Sequence, residues 1–322
     1  MAVLASAEPA SAHGTAGQAP VDHETRVVAV GGDDILGVRA RVTDLGEHVE
    51  VTSSRVEIVV LGYDGEPYLR IGPNGVSRNE RSPATFLNRS VVVDEPVPPR
   101  FDSAAEPEWI QVGRSATARW HDHRLHPSGS DRVTSWSIAF VGDGFEGTID
   151  GTTTRLSPPS VVAAVGLVAG CALVALLAMR SASPIGFVAI ALTLLAATIA
   201  LSVARWTSST ESLETRFAVA WPVILGLCLA IACVRARNGI TAASPWFVFG
   251  FAAVAVAFGF ALMPWLVHAR VPAAGPSTVW RVVVASALGA GSVGVVGAAR
   301  RLRVRPEDQT DPEASAAIRR SR

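Results

Sequence analysis

The apolar positions follow two different rules on either side of residues 157–160, Ser-Pro-Pro-Ser. Before this boundary they come in short runs separated by turn residues. Gly37-Val38-Arg39-Ala40-Arg41-Val42 alternates apolar with charged side chains, as a half-buried antiparallel strand does. Runs of the same kind predict strands over 26–30, 36–43, 49–52, 56–61, 67–71, 116–121, 133–141 and 145–149. Asp64-Gly65 and Pro73-Asn74-Gly75 supply the turn chemistry between them. Seven or eight strands over 13–157 predict an all-β sandwich of immunoglobulin-like or cupredoxin-like type. Residues 94–108, rich in Pro, Ala and acidic side chains, are expected to form a long surface loop.

Beyond the boundary the apolar runs lengthen, and 158–300 reads as a helical membrane region. Five segments, 161–179, 184–204, 217–234, 245–267 and 279–299, are long enough to span. A spanning helix needs about 20 apolar residues to cross a hydrocarbon core about 30 Å thick. Arg180, Arg235, Arg237, Arg300, Arg301, Arg303 and Arg305 fall on one side of such a bundle, and Arg205, Arg216 and Arg270 on the other. The Arg-richer side is expected to be cytoplasmic. The β-rich part is then extracytoplasmic, and the Arg-rich tail, 301–322, is cytoplasmic and disordered. Trp206, Trp221, Trp265 and Trp280 sit at the outer interface of this arrangement and Trp246 at the inner one, as an aromatic belt does. The expected localisation is a multi-pass protein of the cell membrane, with the lipid bilayer as its first partner.

Charge divides at the same boundary. Residues 1–160 carry 14 Arg and 22 Asp/Glu, net −8; the remainder carries 14 Arg and 6 Asp/Glu, net +8. An acidic soluble part argues against nucleic-acid binding, which needs a basic face to neutralise phosphates. The spans hold no Asp, Glu or His in their centres, which argues for an anchor rather than a transport path. Gly289, Gly291, Gly294 and Gly297 in the last span predict close helix packing. Cys171, Cys228 and Cys233 all lie in apolar runs, leaving the β-rich part without a disulfide or a thiolate ligand. The absence of Lys, with abundant Ala and Val, matches the coding bias of a high-GC bacterium.

The chemistry concentrates in Trp120-His121-Asp122-His123-Arg124-Leu125-His126. On a strand, His121 and His123 share a face about 7 Å apart, and His126 returns from the following turn. Imidazoles at this density suit copper, zinc, nickel or iron, with the nearby Asp orienting a ligand. Ala10-Ser11-Ala12 fits a signal-peptidase site, making 1–12 the remnant of a leader and His13 the mature first residue. The α-amine and imidazole of His13 then chelate one ion together with His121, His123 and His126. The only Met in the β-rich part is Met1, so Cu(II) is the expected ion, with zinc as the alternative. His23 and His48 read as lone structural or surface histidines. Tyr63 to Arg70 reads as a sheet corner with Arg70 paired to a carboxylate. No nucleophile elbow, phosphate loop or HExxH helix is present, so binding is expected rather than catalysis.

The His13-Gly14 pair, the stretch Leu61-Gly62-Tyr63-Asp64-Gly65-Glu66-Pro67-Tyr68-Leu69-Arg70, the stretch Ser82-Pro83-Ala84-Thr85-Phe86-Leu87-Asn88 and the run from Arg119 to His126 resemble an uncharacterised family of actinobacterial membrane-anchored secreted proteins. More loosely, the chain is similar to CopC-like copper carriers, small β-sandwiches with an N-terminal histidine ligand. The family resemblance implies a membrane-anchored extracytoplasmic protein; the histidine run with the CopC-like similarity adds the expectation that it holds or delivers Cu(II), with a membrane or secreted copper-handling protein as partner. The alternative is a non-enzymatic, metal-free interaction module on the same anchor.

Overall fold

The computed structural model describes residues 20–31, 37–89, 96–126, 129–180, 196, 199–200, 244–273 and 275–303. The chain divides into two compact units. The first is drawn from Met1–Pro158 with the short segment His268–Pro272, and the second from the rest.

Among its described residues the first unit has ten strands: β1 (His23–Gly31), β2 (Val38–Thr43), β3 (His48–Ser53), β4 (Ile58–Leu61), β5 (Pro67–Gly72), β6 (Gly75–Asn79), β7 (Trp109–Gly113), β8 (Thr117–His121), β9 (Val133–Gly142) and β10 (Phe145–Arg155). One short helix, α1 (Pro83–Leu87), follows β6. The strands form two antiparallel sheets, one ordered β1-β10-β9-β4-β5-β6-β7 and one ordered β2-β3-β8. The eight expected strands are all present, most with shifted ends. β6 and β7 were not expected: β6 is a five-residue strand joined to β5 through the Asn74-Gly75 turn, and β7 follows the Pro-rich stretch. The constant-type immunoglobulin arrangement splits its strands more evenly between sheets.

Alternation decides which side chains fill the space between the sheets. Val49 and Val51 of β3 and Ala118 and Trp120 of β8 meet Ile58, Val60, Ile71, Trp136, Ile138, Phe140 and Ile149 of the larger sheet in one apolar core. The intervening His48 and His121 therefore stand on the outer face of the three-stranded sheet, directly opposite each other in register. Gly151 pairs with Trp136, and a Cβ there would lie 2.0 Å from the indole, so only glycine lets the ring lie across β10. The segment His268–Pro272 joins this unit through an antiparallel bridge: Val21 N donates to Arg270 O at 3.1 Å and Arg270 N to Val21 O at 2.9 Å.

The described part of the second unit comprises α2 (Val161–Arg180), α3 (Ser244–Ala261), the 3-10 turn Met263–Leu266 and α4 (Ser277–Arg303). Two stretches, Val161–Arg180 and Ser277–Arg300, are long and apolar enough to cross a membrane, with mean hydropathy 2.7 and 1.9. The fourth expected span is shorter as a helix, because α3 ends at Ala261 and continues as the 3-10 turn. The expected span over 217–234 lies outside the described residues, as do the 304–322 part of the tail and the span over 184–204 apart from residues 196 and 199–200. Close packing by small residues is seen where expected: a Cβ on Gly289 would lie 2.8 Å from Ala172 N of α2, and one on Gly291 2.8 Å from Val256 Cγ2 of α3.

The corner formed by Tyr63 to Arg70 folds around one buried carboxylate. Glu66, 4% exposed, accepts from Ser82 Oγ at 2.7 Å and Ala84 N at 3.2 Å through Oε1, and from Asp64 N at 3.0 Å through Oε2. Ser82 is also the N-cap of α1. The carboxylate thus ties the Asp64-Gly65 turn to the start of α1, and Gly62 leaves room for it, since a Cβ there would overlap its oxygens. Arg70 stands 3.4 Å from Glu57 and over the Trp109 ring, in keeping with the expected carboxylate pairing. Glu66→Ala strands the buried Ser82 hydroxyl, removes the acceptor of Asp64 N–H and leaves Ala84 N–H to Ser82 Oγ alone. It should lower unfolding stability by about 2–4 kcal/mol, measured by denaturant unfolding of the full chain in detergent micelles, with Glu57→Ala near neutral as the control.

Candidate metal centre

Five of the seven histidines converge at one end of the three-stranded sheet. Ring centroids are 4.9 Å apart for His121–His123, 5.0 Å for His121–His126, 5.9 Å for His48–His121, 6.0 Å for His23–His126 and 6.2 Å for His123–His126. Imidazoles that share one ion through bonds of about 2.0–2.1 Å have centroids on the order of 5 Å apart, so this is ligand-like crowding.

The run is not one strand. β8 ends at His121; Asp122 caps a 3-10 turn over His123–Leu125, and His126 closes it by donating its backbone N–H to His123 O. Asp122, fully buried, accepts from Trp120 Nε1 at 2.9 Å, Arg124 N at 3.1 Å, Arg124 Nε at 2.9 Å and Arg124 Nη2 at 2.8 Å. It reaches no imidazole by hydrogen bond; it orients His123 and His126 by folding the turn that carries them. Thr153 Oγ1 donates to Leu125 O at 2.6 Å, and the Thr25 hydroxyl contacts the same carbonyl at 3.3 Å, which ties the turn to β10 and β1. Tyr63 Oη accepts the His123 N–H at 3.0 Å and donates to Asn88 Oδ1.

Backbone carbonyls set the tautomers. His123 Nε2 lies 2.9 Å from Leu87 O, and His121 Nδ1 lies 2.8 Å from Glu47 O. A carbonyl only accepts, so the proton is on the nitrogen facing it, and the lone pair is on Nδ1 of His123 and Nε2 of His121.

Glu47 arrives on the β2–β3 connection, where Asp44, Leu45 and Gly46 have φ of 56°, 59° and 111°. Two non-glycine residues in the left-handed region cost energy and call for compensation. Asp44 supplies it: its carboxylate pairs with Arg119, accepts from Thr43 Oγ1 at 3.1 Å and lies 3.2 Å from His48 Nδ1. Burial pushes the Asp44 carboxyl up, but His48 and Arg119 outweigh it and hold it below the ordinary carboxylate value. Gly46 is required twice, since besides its φ a Cβ there would lie 3.1 Å from His23 Nε2.

The connection places Glu47 Oε2 at 3.6 Å from both His126 Nε2 and His121 Nδ1. His23, Glu47 and His126 each offer a donor atom within 4.8 Å of the other two. His23 is 9% exposed, and its Nε2 is buried with no hydrogen-bond partner. Two imidazole nitrogens and a carboxylate oxygen form a donor set suited to borderline divalent ions.

Of the residues the sequence singles out, His121, His123 and His126 lie together here, and His13 lies outside the described residues, as do 1–12 before it. Two residues expected to stand alone belong to the cluster. His48 faces His121 across a register pair, and His23 reaches His126 from the first position of β1. Glu47 was not foreseen. No local spacing marks it or His23, because sheet register brings them in from 79 and 103 residues away (47 and 23 against 126). Comparison with family models, curated proteins and solved structures finds no match for the chain.

Burial, then the neighbouring His126 and His123, lowers the His121 imidazole to about 4; burial, then His126, also lowers His23. Both therefore stay neutral in the fold where an unfolded imidazole, near 6.5, takes a proton. The unfolded chain binds the extra protons, so this contribution is complete above pH 6.5 and is lost as pH falls from there toward about 4. In chelator-treated full-length protein the thermal midpoint should fall by several degrees over this window, and His121→Gln should flatten the decline.

Proposed function

We propose that the chain is a membrane-tethered extracytoplasmic protein whose β-sandwich holds a divalent transition-metal ion, Cu(II) or Zn(II), at the outer face of the cell membrane. The helices serve as its anchor. The observation that carries this reading is the convergence of five imidazoles and the Glu47 carboxylate from three separate stretches of chain. Histidines serving only solvation have no reason to gather, since neutral imidazoles brought together lose water contacts and protonated ones repel. Thioether and thiolate groups are absent from the cluster, which favours a divalent ion over Cu(I). A membrane or secreted copper-handling protein is the partner this reading implies.

The five-span topology draws support from the Arg asymmetry and from a parity argument. His268–Pro272 pairs with Val21 inside the β unit, and Leu156 N donates to Asp22 O at 2.8 Å just before α2 begins. The chain therefore enters at α2 and returns to the same side before α4, which requires an even number of crossings in between. The four spans expected from the sequence over 161–267 would satisfy that parity, and the one over 279–299 would make the fifth. A periplasm-active reporter fused after Leu156 should work, and one fused after Arg322 should work only if it is a cytoplasmic type; the reverse pattern overturns the orientation.

Metal content decides the rest. Full-length protein in detergent, loaded with Cu(II) or Zn(II) and desalted, should retain one ion per chain, and His121→Ala/His126→Ala should retain none. Wild-type protein that retains no ion leaves the metal-free interaction module as the function.

A further inference from the structure

The metal-holding reading leaves open which of the crowded side chains bind the ion. We infer that the ligands are His23, Glu47 and His126, a site of two imidazoles and one carboxylate built across both sheets, and that the local run His121–His123 positions this site without ligating. The inference rests on the metal-holding reading.

Three observations carry it. The first is the proximity of donors: among the described residues, these three are the group whose ligand atoms all approach one another within 4.8 Å. A bound ion would draw them in by about 1 Å to reach tetrahedral separations at bonds of about 2.0–2.1 Å. The second is the state of His23. Its Nε2 is buried and unpartnered on a side chain withdrawn from water, an arrangement that is unfavourable unless something accepts or coordinates there. The third is the placement of the other rings, none of which forms such a group among the described residues. His123 Nε2 lies 2.9 Å from Leu87 O, on the side of α1, and His48 Nδ1 lies 3.2 Å from Asp44 Oδ2. His121 directs Nδ1 at Glu47 O and so holds the loop that presents the Glu47 carboxylate.

The chemistry follows from the donor set. Two nitrogens and one oxygen, without sulfur, suit Zn(II) and Cu(II) and give Cu(I) no advantage. Three protein ligands leave a coordination position for water or for a donor from elsewhere, as suits an ion that is loaded and released. Since the ligands come from β1, from the β2–β3 connection and from the turn after β8, the ion cross-links the two sheets, and its binding raises the stability of the fold.

The test uses full-length protein in detergent micelles titrated with Zn(II), and with Co(II) as a visible-absorbing substitute. His23→Gln, Glu47→Gln and His126→Gln should each weaken Zn(II) binding by about 10-fold or more and abolish the intense four-coordinate Co(II) band; His123→Gln and His48→Gln should keep the band and hold affinity within about 3-fold. Glu47→Gln is isosteric, and circular dichroism of every metal-free variant separates lost ligation from lost folding. Wild-type protein that binds neither ion overturns the metal-holding reading itself. Wild-type binding that survives His23→Gln and Glu47→Gln but is lost in His123→Gln overturns this assignment alone and returns the ion to the local run.

Discussion

The Asp122 carboxylate is the interaction on which the histidine end of the fold depends. It is fully buried, it takes both the Nε and Nη2 protons of Arg124, and it also takes the Trp120 indole proton and the Arg124 backbone N–H. A buried carboxylate with this many donors is satisfied; with one removed, it is an uncompensated charge in the core. The consequence is geometric. Trp120 is anchored in the sandwich, so the carboxylate fixes where β8 stops, and its cap on Arg124 N makes the chain turn at once. His123 and His126 return toward His121 for that reason, rather than continuing along the strand.

A second buried carboxylate does related work at a distance. Glu66 fastens the Asp64-Gly65 turn to α1, and α1 delivers Leu87 O to His123 and Asn88 to Tyr63. The two stretches that stand out in the sequence, Tyr63 to Arg70 and Ser82 to Asn88, therefore support the histidine turn rather than form a separate site. The left-handed residues at Asp44 and Leu45 fit the same logic: Arg119 on β8 holds Asp44, and the connection it stabilises presents Glu47.

Much of the fold was legible because its signals are local. Alternation marked β2, short apolar runs marked β3 and β8, the Asp64-Gly65 and Pro73-Asn74-Gly75 turns marked the ends of β5, and apolar length marked α2 and α4. The β6 and β7 strands were missed because both are short and partly polar; Val76 is the one side chain of β6 and β7 in the core. The site was half legible. His121, His123 and His126 advertise themselves by density, yet the spacing of a strand misdescribes them, since the chain turns at Asp122. His23, His48 and Glu47 carry no local sign at all. They enter through the register of His48 with His121 and through the packing of the β1 end on the histidine turn, which Thr25 and Thr153 fasten at Leu125 O.

That last packing gives β1 an unusual position. It is an edge strand of the larger sheet, interrupted by a bulge between Val27 and Ala29, and edge strands are where sheets open first. Its first residues nonetheless carry three separate ties. Val21 bridges Arg270, Asp22 Oδ1 accepts the Ala269 N–H at 2.7 Å, and His23 packs against His126 over Gly46. The first of these ties is backbone pairing and the second a side-chain carboxylate on a backbone N–H, and neither needs a ligand. The third presents an unpartnered imidazole nitrogen beside a carboxylate, and it is therefore the one whose strength depends on what the surroundings supply. An ion bound at this point would act on an edge strand of the sandwich, and its binding free energy would lower the population of states in which that strand opens.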